Sequence, residues 1–346
     1  MRYGIIPTRV AERFALWFGR VPVPIADCLL PLVQTRALMA SVRLGIIDAL
    51  AAGDTSAADV AARCRLDADA VDMVLRVLAS ARYVTARRGR YALSSLGRLT
   101  LVDGAPESAR SYVLFNYVQW EFIEKLEEVI RTGHGIEFHS SMKGTHAWEW
   151  YQAAMVNLSR IAAPVLARLV PVKAGARTLV DVGGSHGLLG AAICTRHPPM
   201  RSIVIELPAA IDEARAAAAG AGAIVEHRAA DVLRDPIPAP ADVVLLANIV
   251  HHFSRDEAIG VMTRARAAMS ARATIAIWDF DRPKADATPE LAADASALYF
   301  RLTSTSQVVP GEEYAAWLRA AGFGDVRVKR SPLAPVQVLV TGRKRT

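Results

Sequence analysis

Apolar residues recur at three- and four-residue steps through the first half of the chain and gather into short continuous runs in the second, with the change near residue 170. In the first half, Leu38, Val42, Leu44 and Ile47 mark a helix that ends before the polar Gly53-Asp54-Thr55-Ser56. Ser56 opens a short helix through Val60, Ala61 and Cys64, and Leu66-Asp67 turns into a longer one carrying Val71, Val74, Leu75 and Leu78. Tyr83 to Ala86 and Tyr91 to Leu93 alternate on either side of Arg87-Arg88-Gly89-Arg90, the signature of a hairpin. Helices followed by a hairpin predict a winged helix.

Such a module suggests duplex reading, with the longer helix in the groove and the arginine turn as a phosphate-contacting wing. Asp67, Asp69 and Asp72 crowd that helix where Arg, Asn or Gln would be needed, so its face would repel a duplex. Subunit association is the better use, and no nucleic acid is expected as a partner. From Arg110 to Val170 the chain is helical and rich in aromatic residues, among them Trp120, Phe122, Trp148, Trp150 and Tyr151. Most of these read as helix core. Some could line an apolar pocket for a flat ligand, because ligand sites favour domain junctions.

After Val170 strands and helices alternate. Thr178 to Val182, Ser202 to Glu206, Ala223 to Glu226, Asp242 to Ala247 and Thr274 to Trp278 are apolar runs that suit strands buried on both faces of a parallel sheet, and Val326 to Lys329 and Val336 to Thr341 add two more. The reading is therefore α/β: a doubly wound, Rossmann-like sheet over 171–346, preceded by a winged-helix domain over 1–105 and by linker helices over 106–170. Ligands of such sheets bind at the carboxyl ends of the strands.

The first strand ends in Asp181-Val182-Gly183-Gly184-Ser185-His186-Gly187, where glycines permit a tight turn and a close backbone approach. Ser185 stands where a dinucleotide fold wants its second glycine. An acid before the loop would sit badly beside a pyrophosphate, yet it could meet the ammonium of an amino-acid-bearing cofactor. Glu206, ending the second strand, can accept both hydroxyls of a ribose. Asp231 is placed to accept from an adenine amino group with Val232 against the ring. Any one of these acids is more commonly a helix cap. Three at successive strand ends favour a nucleoside site.

Together with IELP at Glu206, AAD at Asp231 and ANIVHHFSRDEA around His251, the loop resembles that of the S-adenosylmethionine-dependent O-methyltransferases, which include plant caffeate-type and bacterial antibiotic-tailoring enzymes. The resemblance covers roughly residues 30–342. It implies a class I methyltransferase domain, S-adenosylmethionine as cofactor with S-adenosylhomocysteine as product, and a homodimer built through the N-terminal domain. It implies a cofactor site of Asp181, Gly183, Gly184, Ser185, Gly187, Glu206, Leu207, Asp231, Val232, Asn248 and Ser159. Trp120, Tyr151, Met155, His252 and Trp278 are the candidate lining for the acceptor. His251 matches the family's base, and Asp279 one of the acids that orient it. Val308 falls near the position of the second acid. His252 and Phe253 replace the family's usual Asp and Trp.

A phenol with a pKa of about 10 keeps its proton at neutral pH, whereas a histidine near 6.5 is largely neutral and can take it. Methyl transfer to oxygen of a flat aromatic or polyketide-like molecule is the leading reading. Carbon methylation of an electron-rich ring stands second, and nitrogen methylation, or use of the cofactor structurally during hydroxylation or decarboxylation, are the further alternatives that a weakened dyad would suit.

The remaining features narrow the classes. The chain has 346 residues, 52% of them hydrophobic and 22% charged, enough for two domains. Cys28, Cys64 and Cys194 lie far apart, and neither they nor His134, His139, His146, His186, His197 and His227 show ligand spacing, so no metal is expected. His186 could touch the cofactor or be an exposed loop residue. No uncharged run of about 18 residues occurs, which predicts no membrane span, and the N-terminus lacks a signal pattern, which places the protein in the cytoplasm. The net charge of +7 is dispersed, with clusters at Arg87 to Arg90 and Arg343 to Arg345. Arg9, Arg13 and Arg20 interleave with Phe14, Trp17 and Phe18 within residues 1–27, a basic amphipathic arm suited to a partner subunit or to a membrane surface.

Overall fold

The computed structural model describes residues 6–7, 9–20, 23–136, 141–142, 145–218, 222–304, 306 and 308–345. His139, Val21 and Gln307 lie outside these. The chain forms two compact units, 1–119 and 120–346, so the aromatic-rich stretch read as linker helices is divided between them.

In the first unit, α1 (Val10–Trp17) and α2 (Val23–Arg43) precede α3 (Ile46–Ala51), the short strand β1 (Thr55–Ser56), α4 (Ala57–Cys64) and α5 (Ala68–Ser80). Then come β2 (Val84–Arg87), β3 (Arg90–Leu93), α6 (Ser95–Leu101) and α7 (Arg110–Ile123). Gly45, at φ 78°, breaks α2 from α3. The side chains of Ser56, Asp67 and Ser94 accept the amides of Asp59, Ala70 and Gly97 and so start α4, α5 and α6. Arg88 and Gly89, with φ of 49° and 75°, form a hairpin turn whose twist matches the strands. The strand order is β1-β3-β2. Ile47, Leu50, Val60, Leu75 and Leu78 are fully buried between helices and hairpin. Of the acids read as a duplex-repelling face, Asp67 caps α5 and Asp72 accepts the Tyr91 hydroxyl at 2.6 Å.

The N-terminal helices leave their apolar residues outside. Trp17, Phe18, Ile25, Leu29, Leu30 and Val33 are exposed. By length and composition α2 is long and apolar enough to cross a membrane, which differs from the sequence expectation. That expectation rested on uncharged runs, and Asp27 and Arg36 interrupt the run without ending the helix.

The second unit starts with α8 (Leu126–Thr132) and α9 (His146–Leu169). It continues as β4 (Thr178–Val182), α10 (Leu188–Arg196), β5 (Arg201–Glu206), α11 (Ile211–Ala217), β6 (Val225–Ala229), β7 (Ala241–Ala247), α12 (Arg255–Ala268) and β8 (Met269–Phe280). Last come α13 (Leu291–Thr303), α14 (Gly311–Ala320), β9 (Gly324–Ser331) and β10 (Ala334–Arg343). The sheet order is β6-β5-β4-β7-β8-β10-β9. The first five strands are parallel, and β10 runs antiparallel to both β8 and β9.

Alternation sends Val180, Val244, Leu246, Ile275, Ile277 and Val340 into one apolar layer with α12 and α14. Leu179, Val243, Leu245, Ala276 and Leu339 enter the other with α9 and α10. Both faces are covered, which is why the strands read as unbroken apolar runs. Trp278 belongs to the second layer and is wholly buried beside Leu166 and Ile193. It is therefore a core residue, contrary to the expectation that it lines the acceptor pocket. In a strand covered on both faces, an inward residue cannot be told from a pocket residue by alternation alone.

Candidate active site

Strand order reverses between β4 and β7, because the crossover after β4 leads outward to β5 and that after β7 leads the other way to β8. Loops leaving the carboxyl ends of these neighbours open a crevice. The glycine loop follows β4, and Asn248 to His252 follow β7.

Two glycines of the loop lie in the left-handed region, Gly183 at φ 63° and Gly187 at φ 70°. A Cβ at Gly183 would strike Ile249, and one at Gly187 would lie 2.8 Å from Val225 and 2.9 Å from Val204. Gly184 has ordinary backbone, but its Cβ would come within 2.6 Å of the Asp181 carboxylate. Ser185 is left-handed as well, at φ 46°, and is held from three sides. Its amide donates to Glu206 Oε2 at 3.2 Å, its carbonyl oxygen is 2.9 Å from His227 Nε2, and its hydroxyl donates to Gln152 Oε1 at 3.3 Å.

His186, for which cofactor contact and an exposed loop position both stood open, is buried at 3% exposure. Its Nδ1 accepts the Leu188 amide at 3.1 Å. Burial pushes its pKa down to about 4, against the pull of the Met155 backbone, so the ring is neutral and joins the loop to the start of α10.

Asp181 points into the apolar layer under the loop and is 1% exposed. Neither carboxylate oxygen has a hydrogen-bond partner among the described residues. Burial, opposed by the Gly190 amide and reinforced by the charge of Glu206, pushes its pKa up to about 7.

Glu206, half-buried, uses one oxygen for the Ser185 amide and the other for the Leu207 amide at 2.9 Å. Burial raises its pKa, and those two amides oppose the rise. Leu207 beside it is half exposed. Asp231 accepts the Leu233 amide at 2.9 Å, and Val232 is buried. Asn248, at φ 53°, donates its amide to the Trp278 carbonyl at 2.8 Å and accepts from Gln337 Nε2 at 2.8 Å.

On the far wall, His251 Nδ1 lies 2.7 Å from Asp279 Oδ1, with both residues buried. Asp279 also accepts the amides of His251 at 3.2 Å and of Phe280 at 2.8 Å. A carboxylate accepting three donors fixes the imidazole with its proton on Nδ1 and its lone pair on Nε2. Phe300 lies 4.8 Å from the imidazole ring and 3.9 Å from the Phe280 ring. His252 stacks on His251 at 4.1 Å and its Nδ1 is 3.4 Å from Ser304 Oγ. Val308 is buried, and among the described residues Asp279 is the one carboxylate hydrogen-bonded to His251.

The remaining expected residues divide along α9 and α7. Met155 is half-buried and Ser159 buried on α9. Burial, reinforced by the Glu206 charge, raises the hydroxyl pKa of Tyr151, and its ring lies 5.4 Å from Trp148. Trp120 is half-buried. Sequence reasoning passed over Gln152, His227, Phe300 and Gln337. Gln152 was detectable, since it shares the helical face of Met155 and Ser159 at steps of three and four. Phe300 carried no signal, because its helix lies beyond any motif.

The sequence matches the family model of an O-methyltransferase domain over residues 115–324, and that of an O-methyltransferase dimerisation domain over 27–103. The chain belongs to the O-methyltransferase family. Among curated relatives of this O-methyltransferase is the 3-hydroxy-5-methyl-1-naphthoate 3-O-methyltransferase of Streptomyces sahachiroi, 26% identical over 93% of this chain and 95% of the relative. The N,N-dimethyltransferase OxyT of Streptomyces rimosus is 27% identical over 87% and 92% of the two chains. The fold is shared with human N-acetylserotonin methyltransferase, solved in complex with S-adenosylmethionine, at TM-score 0.83 and 18% identity over 99% of this chain and all of that one.

Proposed function

We propose that this O-methyltransferase moves the methyl group of S-adenosylmethionine to a hydroxyl of a flat aromatic molecule, with His251 as general base. The observation that carries the reading is the buried 2.7 Å contact between His251 Nδ1 and Asp279, which leaves Nε2 as a proton acceptor.

The residues present fit the cofactor. Gly183 and Gly187 give left-handed backbone at the end of β4, and the missing side chain of Gly184 lets the loop backbone close over the Asp181 carboxylate. Glu206 would hold the ribose hydroxyls on the lone pairs that its two amides leave free. The exposed Leu207 and buried Val232 would bracket the adenine, with Asp231 at its amino group. The unpaired Asp181 carboxylate supplies negative charge beneath the loop, where a cationic cofactor would lower its pKa. The bound sulfonium would supply a methyl group already activated for displacement.

The chain's own part is then alignment and proton removal. His251 Nε2 accepts the proton of the acceptor hydroxyl, Asp279 stabilises the imidazolium that results, and the Phe280 and Phe300 rings present flat apolar surface beside it. The naphthoate named for the Streptomyces sahachiroi relative supports such an acceptor. A nitrogen acceptor is the second reading, supported by Val308 at the place of a second acid and by the relationship to OxyT. The chain acts as a homodimer through the matched dimerisation domain, with the exposed apolar residues of α2 against the partner.

Incubation with S-adenosylmethionine and a panel of hydroxynaphthoates and hydroxybenzoates, followed by mass spectrometry, tests the reaction. Wild type adds one methyl group to the phenol, whereas His251→Ala binds S-adenosylhomocysteine and does not turn over. Turnover by His251→Ala at the wild-type rate would remove the histidine from its role.

A further inference from the structure

At the opposite end of β8 from Asp279, three strands deliver cations to one depression. Thr274 on β8 pairs with Arg343 on β10, and Thr341 on β10 pairs with Arg327 on β9. Paired residues share a face, and residues two apart on one strand share it too, so Arg327 and Arg343 stand side by side. The same face carries Leu339 and Ala276 into the layer beneath α9. Past Pro171 that cover stops, and a cavity of about 770 Å³ opens there, also lined by Arg272, Lys344 and Arg345. Five cationic side chains face it against one carboxylate, Asp325.

Some arginines of this unit are paired. Arg330 meets Asp281 and Glu312, and Arg228 meets Glu226. Among the described residues, the side chains of Arg272, Arg327, Arg343 and Arg345 have no such partner, although like charges gathered on adjacent strands repel. Thr274 beneath them is 1% exposed, so the cationic side chains and not its hydroxyl form the surface that a ligand would meet.

We propose that this cavity binds a polyphosphate, either free or as the tail of a nucleotide. Guanidinium forks match phosphate oxygens in pairs, and several forks around one depression match a ligand with several phosphates. The volume suits a ligand larger than a single phosphate ion. The site shares no residue with the glycine loop or with the His251 wall, so it stands apart from the methyl-transfer site.

The test is calorimetric titration of the whole protein with sodium tripolyphosphate and with ATP, at about 150 mM salt and with saturating S-adenosylhomocysteine to fill the nucleoside site. Wild type binds tripolyphosphate saturably, one per chain. The Arg327→Gln/Arg343→Gln variant weakens it by about tenfold or more, and the charge-matched Arg131→Gln/Arg319→Gln variant does not. Tighter binding of ATP than of tripolyphosphate identifies a nucleotide as the source, and the reverse identifies free polyphosphate. Absence of saturable binding by wild type that melts normally and binds S-adenosylhomocysteine overturns the proposal. So does equal weakening in the charge-matched variant, or unchanged binding in the double variant.

Discussion

Glu206 and Ser185 are joined by a 3.2 Å hydrogen bond from the Ser185 amide to Oε2, although they lie on different crossovers of the sheet. The other oxygen of Glu206 takes the Leu207 amide. Each oxygen thus faces an N–H, and neither position tolerates a donor. In Glu206→Gln the amide NH₂ must oppose one of those amides and displaces the loop. Affinity for S-adenosylhomocysteine is expected to fall by tenfold or more, about 1.4 kcal/mol or more, in a titration where the melting temperature of the free protein hardly moves.

Asp181 makes stability depend on pH in the reverse of the usual carboxylate sense. Its pKa rises from 3.8 to about 7 on folding, so between these values the folded chain holds a proton that the unfolded chain releases. The contribution of this group is most favourable below pH 4, declines from there to pH 7, and is flat above. Asp181→Asn should raise the melting temperature of the cofactor-free protein at pH 8 and flatten its slope between pH 5 and 7, as read by calorimetric melts at several pH values. Each kcal/mol recovered corresponds to about 2–4 °C for a domain of this size. A melting temperature unchanged at pH 8 would show the carboxyl to be hydrated in solution.

Asp279 takes three donors on two oxygens, an arrangement that asparagine cannot copy. Asp279→Asn turns an NH₂ toward one of them and lets His251 carry its proton on Nε2, where it cannot act as acceptor. Single-turnover rates are expected to fall by about 10²–10⁴ with binding of S-adenosylhomocysteine retained. An equal loss of cofactor binding would make Asp279 a structural residue only.

The N-terminal helices provide a fourth test. Leu29 and Leu30 are exposed on α2, and a charge on that face would meet the partner's apolar surface. Leu29→Asp/Leu30→Asp should convert a dimer into a monomer in light scattering while leaving circular dichroism unchanged. A variant that stays dimeric would move the interface elsewhere on the unit.

Much of this architecture was legible because the deciding signals are local. The apolar runs named the parallel strands, and the glycine loop, Glu206 and His251 fell at strand ends, where a doubly wound sheet puts its ligands. What escaped depended on three-dimensional neighbours. Trp278 and Asp279 are adjacent in sequence, yet one is core and the other faces His251, because successive side chains of a strand point to opposite faces and both faces are covered. The burial of His186 follows from its fit beneath α9, not from its loop. Arg272, Arg327 and Arg343 are dispersed along the chain, and only strand pairing makes them neighbours. The insertion of β10 between β8 and β9 left no trace in the hydropathy pattern.

That insertion sets an order of events during synthesis. A ribosome delivers β9 before β10, but β9 has hydrogen-bond partners only on β10, so it cannot join the sheet when it emerges. Until residues 334–343 leave the exit tunnel, the strand bearing Asp279 presents an open edge to the cell, the kind of edge that recruits other nascent chains. The hairpin of β9 and β10 is therefore the one that closes this edge of the sheet.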